Sequence, residues 1–454
     1  MTDAVTIIGG GLAGCEAAWQ CAEQGVPVRL YEMRPARRTP AHATGQLAEI
    51  VCSNSFKSDE VNTAPHLLKE ELRRAKSLLI AVAEATRVPA GAALAIDRER
   101  FAAEVTARIA AHPRITVIRE EVASIPGEGV VVIATGPLTS DALAADIQRL
   151  AGAERLYFYD AIAPVVDAET INYDVVFRAA RYGKGGDDYL NCPLDKARYE
   201  AFVDALLAAE CVAPKEFEAD KASYFEACLP IEVAARRGRE TLRFGPMKPV
   251  GLRDPRTGEE PYAVVQLRQE NLMADSYSLV GFQNSVKWGA QKDLLRMIPG
   301  LERAEFLKFG QVHRNTYVNG PKLLTPTLQV KHQSRLFFAG QISGVEGYVE
   351  SLATGLAVGR WAAALIKGRP LIPIPRASAL GSLINYVARC ENNDYQPVNI
   401  TFALLPPLAE AEARRLRRKP ERRARQIALA LAAFEEWLRM MEAAPAMATD
   451  GEAA

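Results

Sequence analysis

The chain has 454 residues, of which 49% are hydrophobic and 24% charged. That composition excludes a disordered, collagenous or fibrous protein, and at ~150 residues per domain it predicts about three domains or subdomains. Lys plus Arg and Asp plus Glu both number 55, which excludes a uniformly basic nucleic-acid coat but not a local basic patch.

No apolar run is expected to reach the ~18–20 residues that cross a bilayer, and residues 1–4 lack the basic start of a signal peptide. The seven cysteines, at 15, 21, 52, 192, 211, 228 and 390, form no C-x-x-C pair. Neither a disulfide framework nor a metal site is expected, and the expected location is the cytoplasm, without membrane association.

From the N-terminus, Val5-Thr6-Ile7-Ile8 is the short β-branched run of a buried parallel strand. Gly9, Gly10, Gly11 and Gly14 follow at once and place G-x-G-x-x-G at 9, 11 and 14. Residues 12–24 predict an Ala-rich helix that Gly25 ends, and 26–31 predict a second strand closed by Glu32. In that order the glycines let the backbone approach a pyrophosphate at a helix N-terminus, and Glu32 accepts hydrogen bonds from both hydroxyls of an adenosine ribose. A lone glycine fingerprint is weak evidence; the flanking strand, helix and acid make this one specific.

Two later segments point to FAD as the resident dinucleotide. Residues 129–136, ending in Ala134-Thr135-Gly136, resemble a strand of two-dinucleotide flavoproteins. Residues 336–341 predict a buried strand running into Gly340 and Gln341, with Gly344 and Gly347 after it. A helix over 350–366 then offers its first N–H groups to the flavin edge, where reduction places negative charge. Many flavoproteins have Ala-Gly-Asp where this chain has Ala-Gly-Gln, so the side-chain contact at Gln341 departs from the pattern.

The expected architecture is therefore α/β: a Rossmann-like FAD-binding domain with an inserted α+β domain. Its first part is 1–160, the insertion is 161–309 with a helix near 196–209, and the second part with C-terminal helices is 310–442. Residues 443–454 predict a frayed tail.

Cys52 stands where an apolar run breaks into a polar loop near Lys57, and Cys228 lies inside the insertion. Residues 236–256 carry seven basic side chains, among them Arg236, Arg237 and Lys248; cations of this kind favour the nucleophilic thiolate. By local pattern alone either cysteine is as readily a packed thiol, as Cys15 and Cys21 are expected to be. Eight Lys or Arg residues over 414–425 read as a solvated helix face paired with Glu410, Glu412 and Glu421, or as a track for phosphates.

Beyond the generic fingerprint, residues 51–58, 227–231, 244–252, 279–283, 314–317, 337–344 and 347–356 closely resemble the folate- and FAD-dependent tRNA (uracil-5-)-methyltransferase family. Glucose-inhibited division protein A is a more distant relative. The resemblance implies 5-methyluridine formation at uridine 54 of the tRNA T-loop. The carbon comes from 5,10-methylenetetrahydrofolate, and electrons come from NADH or NADPH through FAD.

The resemblance also implies that Cys52 and Cys228 are the reactive thiols. The chemistry agrees: C5 of uracil is a poor nucleophile until a thiolate adds to C6, the role expected of Cys228. Cys52 is expected to help handle the methylene carrier near the flavin. Glu346 and Glu350 are candidates to bind the N3–H and 2-amino face of a pterin, and Arg236, Arg237, Lys248 and Lys287 to meet tRNA phosphates. The alternatives are a division-protein-like tRNA-uridine modification and a flavin oxidoreductase without RNA. The stretch after Arg360 is short for the helical C-terminal domain of the first, and the second lacks its redox cysteine pair.

Overall fold

The structure, a computed structural model, describes residues 3–39, 41–152, 156–212, 229–391, 395–416 and 418–445, with backbone alone at 156–161 and 312–315. A six-stranded sheet runs in the order Gln329–Val330, Gln333–Phe338, Val130–Ile133, Val5–Ile8, Val28–Tyr31, Ile115–Ile118. All neighbours are parallel except the first pair, and Val5 is in register with Val28 on one side and Val130 on the other. Val130, Val131, Val132 and Ile133 are all buried, because helices cover both faces of a parallel sheet and no face is left for polar alternation.

Helix Leu12–Glu23 packs lengthwise against helix Tyr348–Ile366. Their backbones nearly touch: a Cβ at Gly355 would lie 2.3 Å from the Ala13 carbonyl oxygen, and one at Gly359 would lie 2.6 Å from that of Ala17. Glycine is required here by space. Tyr348–Ile366 also corrects the membrane expectation, since its 19 residues are long and apolar enough to span a bilayer; the helix is instead mostly buried in the core of the first sheet.

The chain passes between its two units along an antiparallel ribbon, Leu156–Ile162 with Gln311–Tyr317. Between these crossings lies a second six-stranded sheet, antiparallel throughout, ordered Phe177–Arg178, Tyr189–Leu194, Ala263–Gln269, Ser276–Leu279, Val165–Asp167, Phe306–Lys308. One face is apolar and packs Val265 and Leu267 with Phe202 and Leu206 of helix Lys196–Ala208 and Ile231 of helix Ile231–Arg236. The opposite face carries Asn191, Gln266 and Arg268, which hydrogen-bond to one another or to the first unit. Alternation along the strands thus sends apolar groups to one layer and polar groups to the other.

The chain after 375 departs from the all-helical expectation. Between helices Ala379–Arg389 and Glu410–Arg415, the latter followed by helix Lys419–Ala443, residues 395–409 are non-helical and contain Pro397, Pro406 and Pro407, which cannot continue a helix. That stretch pairs back on the first unit through a Val345–Val398 bridge and the Ile400 amide on Glu350. Helices not read from the sequence, at Ala64–Arg74, Leu78–Ala85, Arg98–Ala111 and Asp141–Ala151, complete the first unit. Most of the expected tail, 446–454, lies outside the described residues.

Candidate active site

The G-x-G-x-x-G turn leads from Val5–Ile8 into helix Leu12–Glu23. A Cβ at Gly14 would lie 1.8 Å from the Gly9 carbonyl oxygen, so only glycine lets the helix start this close to the strand. Gly11 is the N-cap and supplies no capping side chain, leaving the first helical N–H groups to a ligand. Nothing lies within 4 Å of the Cβ position at Gly11. Above this turn opens a cleft lined at one end by Glu32, Arg34 and His42 and at the other by Gly340, Gln341, Tyr348 and Val51. Its floor is Gly9, Gly11 and Gly136.

Glu32 takes Gly10 N–H on Oε2 at 2.9 Å, and Arg34 N–H and Nε on Oε1 at 3.0 and 2.8 Å. Burial works against its charge, but Arg34 and the two amides outweigh burial and hold the carboxyl below its usual range. Three of the ~four acceptor sites of a carboxylate are therefore occupied. Arg34 also reaches Glu49 at 2.9 Å. His42, beside Thr39, is pushed down to about 4 by burial and by the Arg34 charge, so its ring is neutral at pH 7. Neither Arg34 nor His42 carries a local motif that sequence reading would detect.

The donor set fits FAD: an open uncapped helix start for a pyrophosphate, an acid at the ribose end, and a long cleft between them. At the far end Gln341 Nε2 donates to Glu346 Oε2 at 2.7 Å, joining two residues singled out separately. Glu350 is fully buried and takes Lys57 Nζ at 2.7 Å and the Ile400 amide at 3.0 Å. Both donors meet Oε1, and Oε2 is buried without a hydrogen-bond partner among the described residues. Gly10, Gly14, Gly344 and Gly347 do not line the cleft. Gly344 instead packs under the Tyr395 hydroxyl, and Gly347 caps the late helix, which begins at Tyr348 rather than 350.

Cys52 is partly exposed on the loop that follows Val51. Tyr348, a wall of the cleft, accepts the N–H of Cys52 on its hydroxyl at 2.9 Å and that of Ser53 at 3.3 Å. Burial, with the charge of Cys52 next, raises the Tyr348 hydroxyl well above its usual value, so it remains protonated. Lys57, expected beside Cys52, faces Glu350 instead, because its left-handed backbone (φ 62°) turns it away from its sequence neighbour.

The cations that close on the Cys52 loop are distant in sequence. Arg98 donates to the Cys52 carbonyl at 3.3 Å, Lys308 to that of Val51 at 3.0 Å, and Arg268 to Ser53 Oγ at 3.0 Å. Glu270 pairs with Arg98. Positive charge of this kind favours a thiolate. Cys228 lies outside the described residues.

The remaining thiols suit packing. Cys15, Cys21 and Cys192 are buried, and burial pushes Cys21 up to about 12 and the other two higher still. Among the expected phosphate ligands, Arg236 and Arg237 are exposed at the end of a short helix and Lys248 is half-buried, whereas Lys287 pairs with Glu210. In the other basic run, Arg414 and Arg425 pair with Glu410 and Glu412, which is the solvated-face arrangement.

A dinucleotide cleft of this kind, with a cysteine loop on its wall and a second sheet inserted between the strands that build it, defines a class of flavoprotein, and the family model described as Glucose inhibited division protein A matches residues 4–370. The Aquifex aeolicus GidA structure superposes with a TM-score of 0.68 at 18% identity, covering 95% of this chain and 73% of that one, a likeness of fold. Proteins named methylenetetrahydrofolate–tRNA-(uracil-5-)-methyltransferase TrmFO are much nearer in sequence. Those of Koribacter versatilis and Solibacter usitatus are each 59% identical over 96% of this chain and 98% and 99% of their own. That of Moorella thermoacetica is 58% identical over 92% of this chain and 95% of its own. The chain belongs to the TrmFO family.

Proposed function

We propose that this protein is a methylenetetrahydrofolate–tRNA-(uracil-5-)-methyltransferase. It forms 5-methyluridine at uridine 54 of the tRNA T-loop in the cytoplasm, with 5,10-methylenetetrahydrofolate as carbon donor and NADH or NADPH as reductant. The observation that carries this reading is Tyr348, which walls the cleft and at the same time holds the amides of Cys52 and Ser53. A thiol-bearing loop is thereby pinned to the flavin site. The identity to relatives so named supports the RNA and folate substrates.

FAD, when bound along the Gly9–Gly11 turn, Glu32, Gly136, Gly340 and Gln341, supplies the redox chemistry that reductive methylation requires. The chain's own residues supply the rest. Cys228, as thiolate, adds to C6 of the uracil, which places an enolate at C5 and makes that carbon nucleophilic. That carbon attacks the methylene group of 5,10-methylenetetrahydrofolate and forms a C5–CH2 bond; loss of the C5 proton with cleavage of the methylene–nitrogen bond releases tetrahydrofolate and leaves an exocyclic methylene. A hydride, which reduced FAD would supply, converts that methylene to methyl, and the enolate so formed expels the sulfur from C6 and restores the ring double bond. Cys52, on a loop held by Tyr348, Arg98, Arg268 and Lys308, handles the one-carbon carrier. Glu346, oriented by Gln341, accepts from the pterin; Glu346→Gln is expected to raise the apparent folate KM, and an unchanged value removes that assignment. Arg236, Arg237, Lys248 and Lys287 meet tRNA phosphates, so binding weakens steeply as salt rises.

The test is single-turnover transfer from labelled methylenetetrahydrofolate to a tRNA transcript with NADH or NADPH present. Label at C5 of one T-loop uridine is expected, and absence of transfer by FAD-loaded protein rejects the reading. A T-loop carrying 5-fluorouridine is expected to trap a covalent adduct in the wild type and none in Cys228→Ala. An undiminished adduct in that variant reassigns the nucleophile.

A further inference from the structure

Phe244 is 82% exposed, which is rare for a side chain of its size and apolarity. Its exposure belongs to a fixed turn. The short helical turn Thr241–Phe244 is followed by Gly245 N–H and Met247 N–H donating to the Leu242 carbonyl at 3.1 and 2.8 Å, with Leu242 and Met247 fully buried beneath. Arg243, next to it, lies over the Tyr262 ring at 3.7 Å and donates to the Tyr262 carbonyl at 2.8 Å.

The turn stands beside the described flank of Cys228. Pro246 packs on Gly281, where an added Cβ would lie 2.7 Å from it. Two residues on, the Gln283 carbonyl accepts the N–H of Ile231 at 2.7 Å, and Ile231 is three positions after Cys228 in the chain. Arg243 is neutralised by Glu240, which also accepts from the Tyr262 hydroxyl at 3.1 Å. Among the described residues no carboxylate pairs with Lys248, and Arg181 holds the Lys248 and Val250 carbonyls at 2.9 and 2.6 Å.

An apolar protein face would gain nothing from the charge of Lys248 beside the ring, and a duplex presents phosphate but no open base. Single-stranded RNA offers both a flat π-face and adjoining phosphates. Resting on the proposed activity, we infer that Phe244 is a stacking platform for an unpaired base of the RNA next to the target uridine, with Lys248 facing the adjoining phosphate.

The test measures binding of a T-arm hairpin transcript to the FAD-loaded full-length protein across a salt series, for wild type, Phe244→Ala, Phe244→Trp and Lys248→Ala. Loss of a stacked base weakens binding in Phe244→Ala by about tenfold or more with an unchanged slope of log K against log salt. Phe244→Trp restores affinity, and RNA quenches its added indole fluorescence; Lys248→Ala instead flattens the slope. Wild-type affinity in Phe244→Ala overturns the inference, as does a changed oligomeric state of that variant with unchanged RNA affinity, which assigns the face to a protein contact. Methyl transfer by the wild type to the same hairpin is scored separately. If it fails while the stacking signals stand, the proposed activity is wrong and the RNA platform remains; if it succeeds while Phe244→Ala binds normally, only the platform is wrong.

Discussion

The guanidinium of Arg268, on a strand of the second sheet, donates through Nε to Oδ1 of Asn54 at 2.7 Å, two residues after Cys52 in the first unit. Asn54 in turn donates to the carbonyls of Ile96 and Gln269 at 3.0 and 2.9 Å. The cysteine loop is thus held from both units at once. Replacing Arg268 by Met leaves a buried acceptor on Asn54 without its donor, a loss of about 1–3 kcal/mol in urea unfolding. Methyl transfer is expected to fall at least about tenfold while FAD content stays the same. Arg268→Lys restores charge without the two-donor fork and should be intermediate. Wild-type turnover in Arg268→Met would show that the loop does not depend on this contact.

At the other end of the cleft, Glu32→Ala frees both the Gly10 amide and Arg34, which then faces Glu49 alone. FAD affinity is expected to drop roughly 10- to 100-fold, matching the ~1–3 kcal/mol of a buried unsatisfied group. The flavin absorbance per mole of purified protein measures it, and full flavin occupancy in the variant rejects the role given to Glu32.

Asp59 receives Arg73 at 3.0 Å and Arg87 at 2.6 Å, with Lys69 at 3.9 Å. Burial raises its carboxyl, but these cations outweigh it and bring it down from 3.8 to about 2. The unfolded chain therefore binds this proton more readily than the folded one. The stabilisation is complete above pH ~4 and is lost as pH falls through 2. Melting temperature in wild type should drop across that window more steeply than in Asp59→Asn, which starts lower at pH 6. Parallel curves for the two proteins would remove Asp59 as the cause.

Gly355→Leu places a side chain against the Ala13 backbone, where even a Cβ stands 2.3 Å from oxygen. Overpacking of this kind costs about 1–3 kcal/mol or more, and the helix that starts at the pyrophosphate turn must shift. Both melting temperature and bound flavin are expected to fall together. A variant with normal flavin content and unchanged melting would mean that the helix pair can separate freely.

The flavin half was legible because its signals are contiguous: strand, glycines, helix and acid occupy residues 5–32, and local geometry dictates their meeting. The environment of Cys52 was not, because Arg98, Arg268 and Lys308 reach it from three separate segments. Sequence proximity pointed to Lys57, which a left-handed backbone turns toward Glu350. The partners of Glu350 were hidden for the same reason, since Lys57 and Ile400 are far away in the chain. The C-terminal stretch lost its helical reading to prolines and to the Val345–Val398 bridge, a tertiary contact without local sign.

The pairing of helix Leu12–Glu23 with Tyr348–Ile366 has a consequence for birth on the ribosome. The first helix leaves the exit tunnel long before its partner exists, and at ~5–20 residues per second the wait is about 20–70 s. The second sheet, whose strands all lie between 165 and 308, is synthesised entirely within that interval. The nascent molecule therefore holds its oldest segment open until translation is nearly complete, and only then can it load a flavin.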